Sequence, residues 1–351
     1  MLGIKRRAFI TLMGGAAAAW PLAAWGQKEP KIPRIGFLGL RPASSFTDRI
    51  DALWGGLHQL GYVEGKNLII EYQWADTVDQ LPQLAARLVS MNVDLIFAPV
   101  STFVEPARQE TKTIPIVFAS HADPIGLGHV QSLAHPGGNI TGLSMVLTEL
   151  ASKELEILHE AIPGATRIGV LWNPTTPSHA PAMQAVAAAA EALKVGLYPV
   201  PTRHIDEFDG AVASLVSEKV NCFLALASPI TYANAGMRLT ELALQHRLAG
   251  MFGFKENTQA GGLMSYSADV LDLYRRSAVY IDKILTGAKP ADLPVEQASK
   301  YQLAINLKVA KALGLEIPPT LLARADEVIE GLLVAHRDSS RRCINSGRNW
   351  T

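Results

Sequence analysis

Short apolar runs alternate with longer amphipathic stretches over residues 32–330, and the alternation occurs in two successive series. Apolar runs bounded by turn-forming residues predict strands, because buried strands are short and nearly continuously apolar. The first series predicts strands at 35–39, 68–72, 94–98, 114–118 and 140–143. The second series predicts strands at 168–172, 196–200, 222–225, 250–254 and 262–266.

The stretches between these runs have helical spacing. Leu53, Leu57 and Leu60 recur at three- and four-residue intervals, as do apolar positions in 81–89, and further helices are predicted within 183–193 and 232–246. Strands that alternate with helices indicate parallel sheets covered on both faces. The fold class predicted is therefore α/β, with two doubly wound parallel-sheet lobes whose carboxyl edges face each other, where ligands bind in such sheets.

The chain continues beyond the second series with a helix at 270–285, a strand at 301–305 and a helix at 307–313. These elements need a sheet to pack on, which predicts a hinge of three crossovers between the lobes. Lobe 1 is predicted to comprise 32–142 plus 267–295, and lobe 2 to comprise 143–266 plus 296–330. Residues 331–351 are polar without periodicity and are predicted to form a disordered tail.

The amino terminus has the pattern of an export signal. Arg6 and Arg7 precede a short apolar stretch, and the small residues Ala24 and Gly26 suit cleavage before Gln27. Paired arginines of this kind are typical of twin-arginine signals. We expect a cleaved signal peptide at 1–26 and a protein located in the periplasm, the alternative being an uncleaved amino-terminal anchor.

The balance of charges and the two cysteines limit the partners and cofactors that are expected. Thirty-two basic residues balance thirty-two acidic ones among the 351, so no net charge attracts nucleic acid or anionic lipid. The two cysteines are Cys222, in an apolar run that predicts a buried thiol, and Cys343. A disulfide between them is the alternative. Neither cysteine has the spacing of a metal site, and we expect no metal or other cofactor.

Five motifs resemble a known family. They are Asp123-Pro124-Ile125-Gly126-Leu127-Gly128, then residues 132–142, 260–266, 272–276 and 281–297. Together they resemble the substrate-binding proteins of ABC transporters, in the group that includes tryptophan- and tyrosine-binding members, over 32–330. The resemblance implies a type I periplasmic binding protein fold and a small-molecule ligand captured by hinge closure. It also implies an ABC permease of the inner membrane as partner, and a monomer.

Candidate ligand contacts in the first lobe lie at predicted strand ends. Ser44, Ser45 and Phe46 follow the first strand, Ser101 and Thr102 follow the third, and Asp123 follows the fourth. The serines, Thr102 and nearby helix amides suit an anionic ligand group, Phe46 offers a flat apolar surface, and Asp123 can hold an ammonium group. The alternatives are helix capping by Ser44 and Ser45, and capping by Asp123 of a helix that starts at Pro124. His121 is expected to be a solvated loop residue.

Candidate contacts in the second lobe are Asn173, Ser228, Tyr232 and Glu256, at positions where the family's cleft residues lie. Asn173 and Ser228 supply hydrogen bonds, and Tyr232 supplies a flat surface for a planar ligand. The alternative for the aromatic residues is packing between helix and sheet.

Three functions are compatible with these residues. The first is the solute receptor of an ABC importer, with an aromatic amino acid or a related carboxylate as ligand. The second is a ligand-sensing periplasmic binding protein that signals to a receptor. The third is a periplasmic α/β enzyme, which is disfavoured because the sequence has no G-x-S-x-G, H-E-x-x-H or phosphate-loop motif. We therefore predict no catalytic residue.

Overall fold

The computed structural model describes residues 31–40 and 43–330. The predicted signal peptide, the predicted tail and Cys343 lie outside these residues. Two sheets are built from strands β1 (Arg34–Leu40), β2 (Ile69–Ala75), β3 (Leu95–Phe97), β4 (Ile116–His121), β5 (Ile140–Ser144), β6 (Arg167–Trp172), β7 (Gly196–Pro201), β8 (Cys222–Ala225), β9 (Ala249–Phe252), β10 (Met264–Ala268), β11 (Glu296–Gln297), β12 (Tyr301–Asn306) and β13 (Glu327–Ile329).

Helices cover the sheets. They are α1 (Thr47–Gln59), α2 (Leu81–Ser90), α3 (Ser101–Glu110), α4 (Leu147–Ala161), α5 (His179–Leu193), α6 (Phe208–Ser217), α7 (Ala233–Gln245), α8 (Lys255–Gln259), α9 (Val270–Leu285), α10 (Leu307–Leu313) and α11 (Pro319–Leu322). The apolar positions predicted to face the core do so: Leu53 and Leu57 of α1 are fully buried, and Trp54 beside them is nearly so. No helix in the described ranges is long and apolar enough to cross a membrane.

The two sheets define two lobes of the predicted α/β class. The first sheet has the order β11-β5-β4-β3-β1-β2 and all of its pairs are parallel. The second has the order β13-β12-β10-β9-β8-β6-β7, and its β10–β12 pair is antiparallel. An antiparallel strand on a largely parallel sheet is common in doubly wound folds. The prediction of two doubly wound, parallel-dominated lobes is confirmed.

The chain passes between the sheets three times. It leaves the first sheet after β5, returns to it through α9 and β11, and re-enters the second sheet at β12. Helix α9 packs against α1 and β4 of the first lobe, although some 200 residues separate it from α1 along the chain. Each lobe is therefore assembled from segments that are distant in sequence.

Most predicted elements are present, and three expectations were wrong. The eleven predicted strands all occur, with ends displaced by at most three residues. Cys222 is a buried free thiol, as expected, and its burial raises its pKa to about 12. The predicted helix at Pro124 is instead a turn, which ends at Gly128 with φ +66°. Phe46, not Ser44 or Ser45, is at the N-cap of α1. His121 is fully buried in β4 rather than solvated.

Candidate functional site

A cavity of about 280 Å³ lies between the two lobes. This volume is just below the range of roughly 300–1,000 Å³ that is common for small-molecule sites. First-lobe elements and the strand-end segments of the second lobe both contribute to its wall, which is mostly apolar. The lining residues are Leu40, Phe46, Arg49, Val100, Ser101, Thr102, Phe103, Ser120, Ala122, Met145, Leu147, Thr176, Ser178, Ile205, Ala227, Ser228, Pro229, Tyr232, Phe254 and Val270.

Five of the candidate ligand contacts line this cavity: Phe46, Ser101, Thr102, Ser228 and Tyr232. Four others, Ser44, Asp123, Asn173 and Glu256, are not among its lining residues. Ser45 lies in the short 3-10 turn Ala43–Phe46, and its side chain is outside the described part of the structure. Half of the candidates, which were chosen because they lie at predicted strand ends, therefore line one cavity. Their role as ligand contacts stays a prediction.

Aromatic rings form much of the apolar wall. Phe46 packs against Trp74 and Phe103, with ring centroids 5.5 and 6.4 Å away. On the opposite lobe Tyr232 meets Phe254 edge-on at 5.0 Å. Rings from both lobes thus face one space, which is suited to a flat apolar group.

Arg49 is the site residue that the sequence analysis missed. It lies on α1, is only 6% exposed and lines the cavity. Its guanidinium carbon lies 3.5 Å from the ring centroid of Tyr232, and 5.6 and 5.8 Å from those of Phe46 and Tyr274. Its Nε has no hydrogen-bond partner within 31–40 and 43–330, and no carboxylate there forms an ion pair with it. A buried guanidinium in this state offers hydrogen bonds and positive charge to an anion.

The sequence did contain a signal for Arg49. It precedes Leu53 by four residues and Leu57 by eight, so the helical period of α1 places it on the apolar face. An arginine within an apolar stripe is unusual because a buried charge needs a partner.

Ser101 begins a chain of polar side chains beneath the cavity wall. Its Oγ lies 3.3 Å from His121 Nδ1, His121 Nε2 lies 2.7 Å from His129 Nδ1, and His129 Nε2 lies 3.0 Å from Glu105 Oε2. Burial lowers the pKa of His121 and of His129, so both rings are neutral near pH 7. We call these four side chains the Ser101 relay.

The remaining first-lobe candidates are engaged elsewhere. Asp123 Oδ1 accepts the Gly126 N–H at 2.8 Å, which closes the turn after β4. Ser44 is exposed, and its carbonyl accepts the Thr47 hydroxyl at 3.1 Å.

Polar side chains at the strand ends of the second lobe bind their own backbone. Asn173 Oδ1 accepts the backbone N–H and the hydroxyl of Thr175, at 2.9 and 2.7 Å. Ser228 and Thr231 form a reciprocal capping box. His179 accepts the Asn173 N–H at 2.8 Å and lies 3.0 Å from the Ala227 carbonyl, and burial lowers its pKa to about 4. Glu256 is half-buried in α8 and is not among the residues that line the cavity.

No cluster of three or more histidine, cysteine, aspartate or glutamate side chains that could hold a metal ion occurs among the residues described.

Comparison with known proteins places this architecture in a family. The model for "ABC transporter substrate binding protein" matches residues 43–329, well over half of the chain. A tyrosine-binding protein of Clostridioides difficile (strain R20291) is 26% identical over 264 residues, which are 74% of each chain.

Solved structures agree with this match. A conserved domain protein of Vibrio cholerae O1 biovar El Tor has a TM-score of 0.79 at 27% identity, covering 85% of this chain and all of that one. A Streptococcus pneumoniae ABC domain in complex with L-Trp has a TM-score of 0.78 at 24% identity, covering 85% and 99%. The chain belongs to the family of ABC transporter substrate-binding proteins, with the type I periplasmic binding protein fold.

Proposed function

We propose that this protein is the periplasmic solute receptor of an ABC importer and that it captures an aromatic amino acid or a related aromatic carboxylate between its lobes. The observation that carries the proposal is Arg49, a buried guanidinium that has no anionic partner among the described residues and is set among aromatic rings in the cavity wall. An aromatic carboxylate supplies both the anion and the flat apolar group.

Hydroxyl groups of the cavity wall complement Arg49. Helix α3 begins at the wall with Ser101 and Thr102, whose hydroxyls can form hydrogen bonds with a polar group of the ligand. The proposal also agrees with relatives that bind tyrosine or were solved with L-Trp.

Closure follows from the contacts between lobes. Arg49 belongs to the first lobe and stacks on Tyr232 of the second. A ligand that touches Arg49 and Tyr232 together gains both contacts only when the lobes are shut, so it shifts the population toward the closed form. A micromolar ligand supplies about 8 kcal/mol in total, which exceeds a closure cost of a few kcal/mol.

Location and partners follow from the function. Export by the predicted signal peptide at 1–26 places the receptor in the periplasm, where the closed monomer delivers its ligand to an ABC permease of the inner membrane. The balanced charge of the chain gives no attraction to nucleic acid. Function is binding rather than catalysis, so the ligand is released unchanged.

The test is calorimetric titration of the purified protein with L-tyrosine, L-tryptophan and L-phenylalanine, with L-leucine and L-glutamate as controls. We expect micromolar or tighter binding of at least one aromatic compound, none of the controls at comparable affinity, and recovery of unchanged ligand. Small-angle scattering should show a smaller radius of gyration with ligand. Tight binding of leucine or glutamate alone, or turnover of the ligand, would contradict the proposal.

A further inference from the structure

The Ser101 relay leads from the cavity wall to a carboxylate on the other side of α3. Of its four members only Ser101 lines the cavity, while the side chain of His129 is 3% exposed and that of Glu105 is 37% exposed. A chain of this kind can hold its hydrogens in one of two directions. The neighbouring backbone groups determine which direction applies.

The backbone N–H of Asp123 donates to His121 Nδ1 at 3.2 Å, so this nitrogen carries no hydrogen. A neutral imidazole then carries its hydrogen on Nε2, which donates to His129 Nδ1. By the same argument the hydrogen of His129 is on Nε2 and is donated to Glu105.

The far end of the relay supports this direction. Arg108 donates two hydrogen bonds of 2.7 Å to the Glu105 carboxylate and lowers the pKa of Glu105 to about 2. Glu105 is therefore ionised and can only accept a hydrogen bond from His129.

The direction of the relay sets what Ser101 presents to the cavity. Its hydroxyl hydrogen points to His121 Nδ1, whose lone pair it shares with the Asp123 N–H, and its oxygen accepts the Ala122 N–H at 2.9 Å. A serine hydroxyl has one hydrogen and two acceptor positions. One acceptor position is left, so Ser101 offers the cavity an acceptor and no donor.

We propose that Ser101 selects ligands that carry an N–H donor, such as the ammonium group of an amino acid, and that His121, His129 and Glu105 are positioning residues that hold its hydroxyl in the accepting direction. This inference rests on the proposed function, in which Arg49 takes the carboxylate. Together the two residues distinguish a zwitterion from the corresponding deaminated acid.

The selection has a physical basis in hydrogen-bond satisfaction. A deaminated acid leaves the Ser101 oxygen facing an apolar ligand without a donor, and an unsatisfied buried acceptor is costly. A plain amine satisfies Ser101 but supplies no carboxylate to the guanidinium of Arg49.

Acid should reverse the selection. His121 faces Ser101 and His129, and His129 faces Glu105 and Arg108. A histidine ring that takes up a proton donates hydrogen bonds from both of its nitrogens. A protonated His121 donates to Ser101, whose own hydrogen must then point into the cavity. Affinity for a zwitterion therefore falls as the pH falls, whereas a carboxylate bound at Ser101 would gain affinity.

The experiment compares L-tryptophan with indole-3-propionate, its deaminated analogue, by calorimetry at pH 7, where the propionate is ionised. Titrations of L-tryptophan alone extend down to about pH 4.5, a range in which its own charges do not change. We expect L-tryptophan to bind about tenfold more tightly or better at pH 7 and to weaken in acid. Ser101→Ala should remove this preference and its pH dependence. The control is Ser144→Ala. Ser144 is a buried serine that donates to the His121 carbonyl at 3.1 Å and does not line the cavity, so this variant should keep both the preference for L-tryptophan and its pH dependence.

Imidazole ¹⁵N chemical shifts of the ligand-free protein give an independent readout. We expect both His121 and His129 in the Nε2–H form, and His129→Gln, whose amide can accept and donate as the ring does, should keep the preference for L-tryptophan at pH 7. A hydrogen on His121 Nδ1, or equal binding of acid and zwitterion, would overturn the proposal. Binding of neither compound, with both rings in the Nε2–H form, would contradict the aromatic ligand of the proposed function and support the acceptor at Ser101.

Discussion

The two walls of the cavity occupy equivalent places in two similar lobes, yet their polar groups are used differently. In the first lobe the Nε of Arg49 has no hydrogen-bond partner in the described part of the chain, and Ser101, with its hydroxyl in the proposed direction, keeps an acceptor position facing the cavity. In the second lobe Asn173 and the Ser228–Thr231 box are bonded to their own turns. The topology brings polar residues to the edge of either sheet, but the remaining hydrogen-bonding capacity decides which of them can recognise a ligand.

The largest effect we expect is on stability in acid. His179 holds the strand-end turn of the second lobe as a neutral ring with a pKa of about 4, whereas an unfolded histidine has a pKa of about 6.5. Below about pH 6.5 the unfolded chain binds more protons, so the free energy of unfolding falls with pH down to about pH 4, by about 1.4 kcal/mol per unit for this residue. His179→Gln should remove that slope in urea titrations.

The relay histidines, whose pKa values are also lowered, contribute in the same direction. Glu154 has the opposite effect on the pH dependence of stability. Burial raises its pKa, so the folded protein keeps this carboxyl protonated at pH values where the unfolded chain has lost the proton. Its contribution cancels in the difference between wild type and His179→Gln. Equal slopes for the two proteins would show that His179 is not held neutral.

The next largest effect concerns affinity. Arg49→Met keeps an apolar stem in the wall but removes the guanidinium, and we expect about a hundredfold weaker binding of the aromatic ligand, as for loss of a charged hydrogen bond and its stacking. Stability should not fall, since the change removes a buried charge that has no ionic partner among residues 31–40 and 43–330. Calorimetry and urea denaturation measure the two quantities.

The matched control is Asn173→Ala in the second lobe, which should cost stability but change affinity less than about twofold. Unchanged affinity in Arg49→Met, or a large loss in Asn173→Ala, would remove the contrast between the two walls.

A smaller effect is expected within the second lobe. Glu154 of α4 is fully buried, and both of its oxygens are without a partner in the described ranges. Glu154→Met should raise the free energy of unfolding at pH 7.5 by about 1–2 kcal/mol, because the carboxyl is replaced by an apolar group of similar size. Glu156→Met, at an exposed position of the same helix, should change it little, and a destabilised Glu154→Met would show that the carboxyl has a partner.

The smallest effect tests the capping box. Ser228→Ala should lower the free energy of unfolding by about 1 kcal/mol, the usual loss for a helix cap, and should leave ligand affinity within about twofold. Thermal denaturation and calorimetry of one preparation measure both. A tenfold loss of affinity with unchanged stability would mean that Ser228 binds ligand rather than its own turn.

Much of the fold could be predicted because it depends on local patterns. The apolar runs and helical spacing gave the strands and the two-lobe class, and α9 and α10 have the predicted bounds. The two strands that were not predicted, β11 and β13, contain two and three residues, too few for a periodic signal. Their pairing depends on where the chain returns to each sheet, which no local pattern encodes.

The site was harder to predict because its chemistry depends on contacts between distant residues. His121 was expected to be solvated, but Ser101 and His129, 20 and 8 residues away, make it part of a buried relay. Asp123 was a candidate for an ammonium group until the geometry of its turn placed Gly126 on its carboxylate. Arg49 could have been found from the helical period alone, by looking for charge on an apolar face.

The three passages of the chain between the lobes have a consequence for biosynthesis. The first lobe lacks α9, the partner of α1, until residue 285 has been made, and the second sheet lacks β12 until residue 306. Domains otherwise tend to fold from the amino terminus while the ribosome is still at work. Here neither half can close its core before most of the polypeptide has emerged, so folding is completed late in synthesis or after it. That timing matches the twin-arginine route predicted from residues 5–27, which accepts its cargo already folded.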